Sequence, residues 1–311
     1  MKRKFLLFLL IMLGYSIAAE NQNNGRSSVT KSYEINLQVS TLPEIKLGFV
    51  EQFKLPFLQG TGSFTKDNNI SFSLGTEISP VSLNETAETV WTPIAFFQLA
   101  AGGRVGTGWN IRLFGSDVYG SGISMPDSSG ETRVSGNGFD GLLYKVQGGA
   151  VLQADLAAIV PGDWNHLVMR SYHEINYRGY TRAAKNESWY YENDDGENCN
   201  GANYYGNLLL GYQMPIILDL AALLAEGDLY LYDTPNRSLW GDDRIRWTFS
   251  AILDFSITPK LGAALITQLR TRRNFIESNW EDLYYRNRTL DTSSPIHLEF
   301  RRVAAVLSYK F

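Results

Sequence analysis

The last nine residues constrain this chain most. Val303, Ala305, Leu307, Tyr309 and Phe311 form one apolar row, interleaved with Ala304, Val306, Ser308 and Lys310, and the chain stops on the aromatic. Successive side chains of a β-strand point to opposite faces, so a period of two marks a strand with one greasy side and one wetter side. Soluble domains seldom end this way. A short alternating strand nevertheless occurs in many soluble β-proteins, and the other end of the chain has to decide what this one faces.

Residues 1–19 open on Met1, Lys2, Arg3 and Lys4, continue through the apolar run Phe5 to Leu13, and finish on Ser16, Ile17, Ala18 and Ala19. This is the layout of a secretory signal peptide: the apolar part is shorter than the roughly 20 residues a spanning helix needs, and small residues follow at a cleavage site after Ala18 or Ala19. No cysteine lies near the cut, which disfavours a lipoprotein. An exported chain with this ending resembles bacterial outer-membrane β-barrel proteins. The resemblance implies a place in the bacterial outer membrane with lipid around the barrel. It also implies that Leu307, Tyr309 and Phe311 belong to a C-terminal signal read by the barrel-assembly machinery. It covers the mature chain in pattern, but only the two ends are specific motifs, and they point to no subfamily.

Composition agrees. Gly (28), Tyr (17), Phe (16) and Trp (7) suit a protein of many turns and aromatic belts, whereas a helical membrane protein would be far more apolar. Loss of Lys2, Arg3 and Lys4 with the signal takes the formal charge from −4 to −7, which excludes a basic nucleic-acid footprint. Cys199 is the single cysteine, so neither an internal disulfide nor a cysteine-based metal site can form, and no cofactor motif is present. An exported protein without disulfides needs another source of stability. A closed barrel supplies it by pairing every strand edge.

Residues 20–32, rich in Asn, Ser and Gly, read as a flexible N-terminal tail, and 33–311 as one barrel domain. Alternation recurs along it. Tyr33, Ile35, Leu37 and Val39 form one apolar row, Ile45, Leu47 and Phe49 another, and Ile70, Phe72, Leu74 and Ile78 a third. The cleanest internal strands are 142–156 and 245–257. The expected fold is therefore all-β: a transmembrane, antiparallel, up-and-down barrel with short periplasmic turns and long external loops. Ser79-Pro80, Thr92-Pro93, Pro161-Gly162-Asp163, Met214-Pro215 and Thr258-Pro259-Lys260 read as tight turns, and 58–68, 118–141, 182–203, 234–243 and 276–296 as long polar loops. Counting Ser79-Pro80, Thr92-Pro93 and the Gly106-Thr107-Gly108 corner all as turns gives about 12 strands, and one kinked strand over 69–91 gives about 10, both even as bacterial single-chain barrels are. A soluble β-sandwich also alternates. Against it, the polar rows here hold mostly Ser, Thr, Asn, Gln and Gly, and Trp164, Tyr177, Tyr180, Tyr204, Tyr230 and Tyr232 recur near strand ends, where amphipathic rings favour a membrane interface.

Catalytic constellations are thin. His166 and His173 lie seven apart on one strand, hence on opposite faces, and cannot act together; His297 stands alone. Outer-membrane phospholipases carry a His and a Ser two residues apart on one face. Here His173 is followed by Glu174 and Ile175, and His166 by Leu167 and Val168, so no serine follows in that place. The acidic stretch 193–200 lacks the ligand spacing of a calcium loop and reads as a solvated tip. Asn186-Glu187-Ser188 and Asn287-Arg288-Thr289 match the glycosylation pattern, which carries little weight in a bacterial protein.

What remains is the inner wall. Alternation places Lys145, Gln147, Gln153, Asp155, Arg170, Glu174, Arg178, Arg244, Arg246, Asp254, Gln268, Arg270 and Arg272 on the wet side. Charges of both signs there can brace the wall or select ions. The expected function is a narrow porin-like channel for small polar solutes, obstructed in part by the tail at 20–32 or the loop at 118–141, with a mild anion preference from Arg270 and Arg272. The alternatives are a structural or surface-recognition barrel acting through loop aromatics such as Trp189, Tyr190, Tyr191, Tyr204 and Tyr205, and, third, a barrel-embedded hydrolase, disfavoured because no nucleophile shares a face with a base.

Overall fold

A computed structural model describes residues 29–311 except 43, 114–115, 127–131, 136–137, 193, 195, 235 and 277–287. The expected signal peptide and most of the expected tail thus lie outside the described residues. In chain order the strands are β1 (Thr30–Ser40), β2 (Glu44–Pro56), β3 (Asn69–Ser79), β4 (Ser82–Ile94), β5 (Phe97–Gly108), β6 (Ile111–Leu113), β7 (Ser116–Val118), β8 (Ser121–Pro126), β9 (Thr132–Ser135) and β10 (Leu143–Asp155). They continue with β11 (His166–Tyr180), β12 (Trp189–Tyr191), β13 (Gly201–Gln213), β14 (Leu218–Tyr230), β15 (Arg246–Ser256), β16 (Leu261–Arg273) and β17 (Ile296–Lys310). Twelve of them, β1 to β5, β10, β11 and β13 to β17, close into one antiparallel barrel in which each strand pairs with its neighbours in sequence. β1 starts inside the stretch expected to be tail.

Closure is made by the two ends of the barrel domain. β1 pairs with β17 from Glu34 opposite Lys310 to Ser40 opposite Ala304. The last residue locks the seam: the Phe311 N–H donates to the Tyr33 carbonyl at 3.1 Å, the Tyr33 N–H returns a bond at 3.3 Å, and the two rings stack at 5.7 Å. A closed ladder leaves no strand edge for another chain to join.

Because the strand number is even, both termini lie at one end, here called the terminal end. The connections 41–43, 80–81, 109–142, 181–200, 231–245 and 274–295 lie at the far end, and 57–68, 95–96, 156–165, 214–217 and 257–260 at the terminal end. Three expectations need correction. The 58–68 loop belongs to the terminal end with the turns, and the Ser79-Pro80 turn belongs to the far end with the long loops. Thr92-Pro93 is not a turn either; it lies within β4, where proline has no N–H to give the ladder, and the register to β5 shifts between Trp91 and Ile94 before the hairpin closes at 95–96. The Gly106-Thr107-Gly108 corner is the end of β5.

The faces are sorted as a bilayer demands. Ile35, Leu37, Val39, Ile45, Leu47 and Phe49 are all exposed, while Glu34, Asn36, Gln38, Glu44 and Lys46 between them are buried. A soluble protein has the opposite arrangement. The inner wall is itself divided. On β13 to β17 an apolar arc of Leu209, Leu220, Ala222, Leu224, Ile252, Ala264, Ile266, Ala304 and Val306 is buried, a smaller cluster of Val90, Ala100, Val151, Tyr172 and Tyr205 is buried across β4, β5, β10, β11 and β13, and polar side chains occupy much of the rest of the wall.

Candidate solute path and its far-end mouth

The far-end mouth is rich in arginine. One cavity there is lined by Arg178, Arg244, Arg246, Arg270, Arg272, Arg273 and Arg301, together with Asp194, Glu197 and Asp228. Asp228 on β14 accepts from Arg246 Nη2 at 2.8 Å and from Arg178 Nη1 at 3.4 Å. Both guanidiniums lie over the Tyr230 ring, at 4.0 and 4.9 Å from its centre. Arg273 at the end of β16 donates to Asp242 at 2.9 Å and also holds Glu197. Arg270 donates to Glu299 at 2.6 Å, with Arg272 at 3.7 Å from the same carboxylate. Among the described residues of this cavity and their partners, the seven arginines outnumber the five carboxylates, Asp242 and Glu299 included, so its lining is net positive.

A second charged knot lies opposite, where the connection 181–200 reaches the wall. Its short strand β12 pairs with β8, Trp189 opposite Ile123, so two connections form one small sheet. The residue after β12, Glu192, extends to the wall: its carboxylate accepts from Lys46 Nζ on β2 at 2.5 Å and from Ser82 Oγ at 2.5 Å and Asn84 Nδ2 at 3.3 Å on β4. Lys46 also holds Glu77 at 3.0 Å and lies 3.7 Å from Glu44. Beside it the Tyr191 hydroxyl accepts from Arg104 at 2.5 Å, and the guanidinium stacks 4.7 Å from the ring centre. The loop is held by its side chains at a point where its backbone is strained: Glu192 has φ of 44°, a left-handed conformation that costs a non-glycine residue about 1 kcal/mol.

Burial by itself raises the pKa of Glu192, but the charges of Lys46 and Arg104 hold it well below the usual glutamate range. A carboxylate depressed in the folded state stabilises that state above its unfolded pKa, near 4.5, and the contribution is lost as pH falls through the folded value. The loop is therefore expected to stay docked at neutral pH and loosen progressively as pH falls below 4.5 toward the depressed folded value. Hydrogen exchange checks this at the Glu192 amide, which donates to the Gly120 carbonyl at 2.8 Å; protection unchanged down to the acid-unfolding pH would refute it.

Deeper along the wall, Glu174 on β11 accepts from Lys145 at 2.5 Å, Tyr172 at 2.7 Å and Asn176 at 2.8 Å. Gln147 donates to Glu88 at 3.4 Å, Tyr205 to Glu226 at 2.6 Å, and Arg302 on β17 bridges Gln268 at 2.6 Å and Glu44 at 2.8 Å.

Of the residues expected on the wet side, Arg170, Glu174, Arg178 and Gln268 are buried. Lys145, Gln147, Arg246, Asp254 and Arg270 are part-buried. Gln153 and Asp155 sit at the terminal end, Gln153 donating to the Ala95 carbonyl and Asp155 bonded to His166 Nδ1 at 2.7 Å. Arg244 precedes β15 and is exposed, and Arg272 is half exposed. Sequence reading missed Glu44, Lys46, Glu77, Glu192, Arg273, Arg301 and Arg302. The first three were legible, since Glu44 and Lys46 alternate with Ile45 and Leu47, and Glu77 sits between Thr76 and Ile78. Arg302 was legible too, since it continues the inward row of Ala304 and Val306; Arg301 was not, because a bulge shifts the β16–β17 register between Gln268 and Leu269.

The histidines also bring a correction. Ser171, two residues before His173 and on the same outward face, has its Oγ 3.0 Å from His173 Nε2, and Tyr204 OH lies 2.6 Å from Nδ1. A nucleophile and a base do share a face, with the serine preceding the histidine. The trio satisfies its polar groups among its own members on the outward face. The acidic stretch is used internally: Asp194 accepts from the Tyr191 and Gly196 amides at 3.2 and 2.8 Å.

No family model and no curated protein matches the chain. Among solved structures, the KdgM porin aligns over 90% of this chain and 99% of its own at 10% identity and a TM-score of 0.37. The NanC porin aligns over 90% and 98% at 7% identity and a TM-score of 0.39. A Salmonella typhi OmpF complex with daunomycin aligns over 92% and 98% at 6% identity and a TM-score of 0.31. Likeness this slight carries no argument about function. The barrel stands on its own strand register.

Proposed function

We propose that this protein is an outer-membrane β-barrel acting as a narrow porin-like channel for small polar solutes, with a mouth that favours anions. The observation that carries the reading is the sorting of faces around a closed ladder: apolar outside, polar and charged inside, with an arginine-rich cavity at the far end. Short turns at both ends of some hairpins do not orient the barrel. The four longest connections do, since 109–142, 181–200, 231–245 and 274–295 share the far end, which is therefore external, with the termini in the periplasm. In this reading 1–19 is the export signal, and Leu307, Tyr309 and Phe311 address the assembly machinery.

Ion selectivity of the refolded protein in planar bilayers tests it. In a salt gradient the reversal potential is expected to report anion preference. Arg244 and Arg272 are exposed in the cavity, so R244Q/R272Q leaves the buried ion pairs alone. Unit charges at 4 Å exchange only about 1 kcal/mol in water, less when screened by salt, so the anion-to-cation ratio is expected to fall about two- to three-fold. Absence of discrete openings would reject the channel, and an unchanged ratio the role of the mouth.

A further inference from the structure

The geometry points to a carboxylate-binding site built into the barrel wall, in which Glu192 of the chain's own loop occupies the place of a carboxylate-bearing solute. The wall residues come from three strands and converge on one planar anion. Ser82 and Asn84 of β4 donate to one carboxylate oxygen, at 2.5 and 3.3 Å, and Lys46 of β2 to the other, at 2.5 Å, with the Arg104 guanidinium of β5 close behind. Lys46, Ser82 and Asn84 are each at most 4% exposed. Without the loop, the charges of this wall do not balance. Lys46, Arg104 and Arg302 stand against Glu44 and Glu77, so the strands present one surplus positive charge to a desolvated surface, and a buried charge of that kind requires a counter-ion.

Glu192 is that counter-ion, and it comes from a connection rather than from the wall. At its docking point the loop holds a left-handed backbone conformation that a glutamate rarely adopts. Further along the same connection, Glu197 is placed on Arg273 in the arginine-rich cavity, so one loop supplies carboxylates to two cationic positions of the mouth. A tethered ligand is displaced by a free one of the same chemistry at sufficient concentration. Acid groups that are flat, singly charged and able to take two donors on one oxygen fit; the site is shaped for a carboxylate. As a station for a permeating solute this rests on the channel reading above, but binding can be measured without it.

The experiment uses full-length mature protein refolded in lipid, with E192A vacating the site. Thermal unfolding is compared in acetate and in chloride at equal ionic strength. E192A is expected to melt several degrees higher in acetate, while wild type, whose site is filled, shows no difference between the salts. Adding S82A and N84A to E192A is expected to abolish the acetate effect. Equal melting of E192A in the two salts, or an equal acetate shift in wild type, overturns the site. Should E192A fail to fold, E192Q keeps the side-chain shape, and the expected result becomes a loss of loop protection at the Glu192 amide with the strands still protected; unchanged protection overturns the proposal. Bilayer recordings on the same proteins separate the two ideas. Openings without an acetate effect remove the site and leave the channel, and an acetate effect without openings does the reverse.

Discussion

Replacing Lys46 with methionine is expected to lower the stability of the refolded barrel by about 3–5 kcal/mol, the usual cost of removing one partner from a buried ion pair. The reason is in the count of its partners. Glu77 and Glu192 lie within 3.0 Å of the ammonium and Glu44 at 3.7 Å, all in the desolvated wall, and methionine fills the same volume without answering any of them. Arg302 still holds Glu44, and Arg104 still lies near Glu192, so the damage concentrates on Glu77 and on the loop contact. Denaturant titration followed by tryptophan emission measures the loss. Because Glu192 is one of the stranded carboxylates, the K46M/E192A double variant is expected to recover part of it. Strictly additive losses would show that the two side chains do not interact, and a loss below about 1 kcal/mol would place Lys46 in contact with water.

An arginine at Leu265 is expected to cost about 2–4 kcal/mol, the penalty for a cation at the middle of a lipid-facing strand. Leu265 sits mid-way along β16 with Leu253 and Ala305 beside it on the outer face, and it is 42% exposed in the isolated chain. If the outer face met water, the same change would be nearly neutral, since surface substitutions stay within about 0.5 kcal/mol. Comparing L265R with wild type by folding titrations in lipid vesicles therefore reads out the solvent that surrounds the barrel. A neutral result would mean water outside, and the membrane reading would have to be abandoned.

The strands that sequence reading resolved best are those with an uninterrupted period of two. Residues 303–311, 142–156 and 245–257 were legible because an outward apolar row and an inward polar row are written into adjacent residues, and the solvent on each side enforces the pattern. Where backbone geometry intervenes, the reading slips. Pro93 moved a hairpin by three residues, and the bulge opposite Gln268 and Leu269 carried Arg301 to a position that counting by twos does not reach. Ser171 and His173 were legible in the sequence as well, since i and i+2 share a face whichever residue comes first.

By itself, then, the sequence determined that the chain is a β-barrel of about 12 strands and which side chains face outward, because alternation is a local property and a bilayer punishes every exception to it. It could not determine where the long connections go. Glu192 meets Lys46 across 146 residues, and Arg302 meets Glu44 across 258. Such pairings depend on strand order, shear and the closing of the ring, which bring distant residues to one height of the wall. That is why the mouth, its arginines and the loop carboxylate that enters them became visible only in the folded molecule.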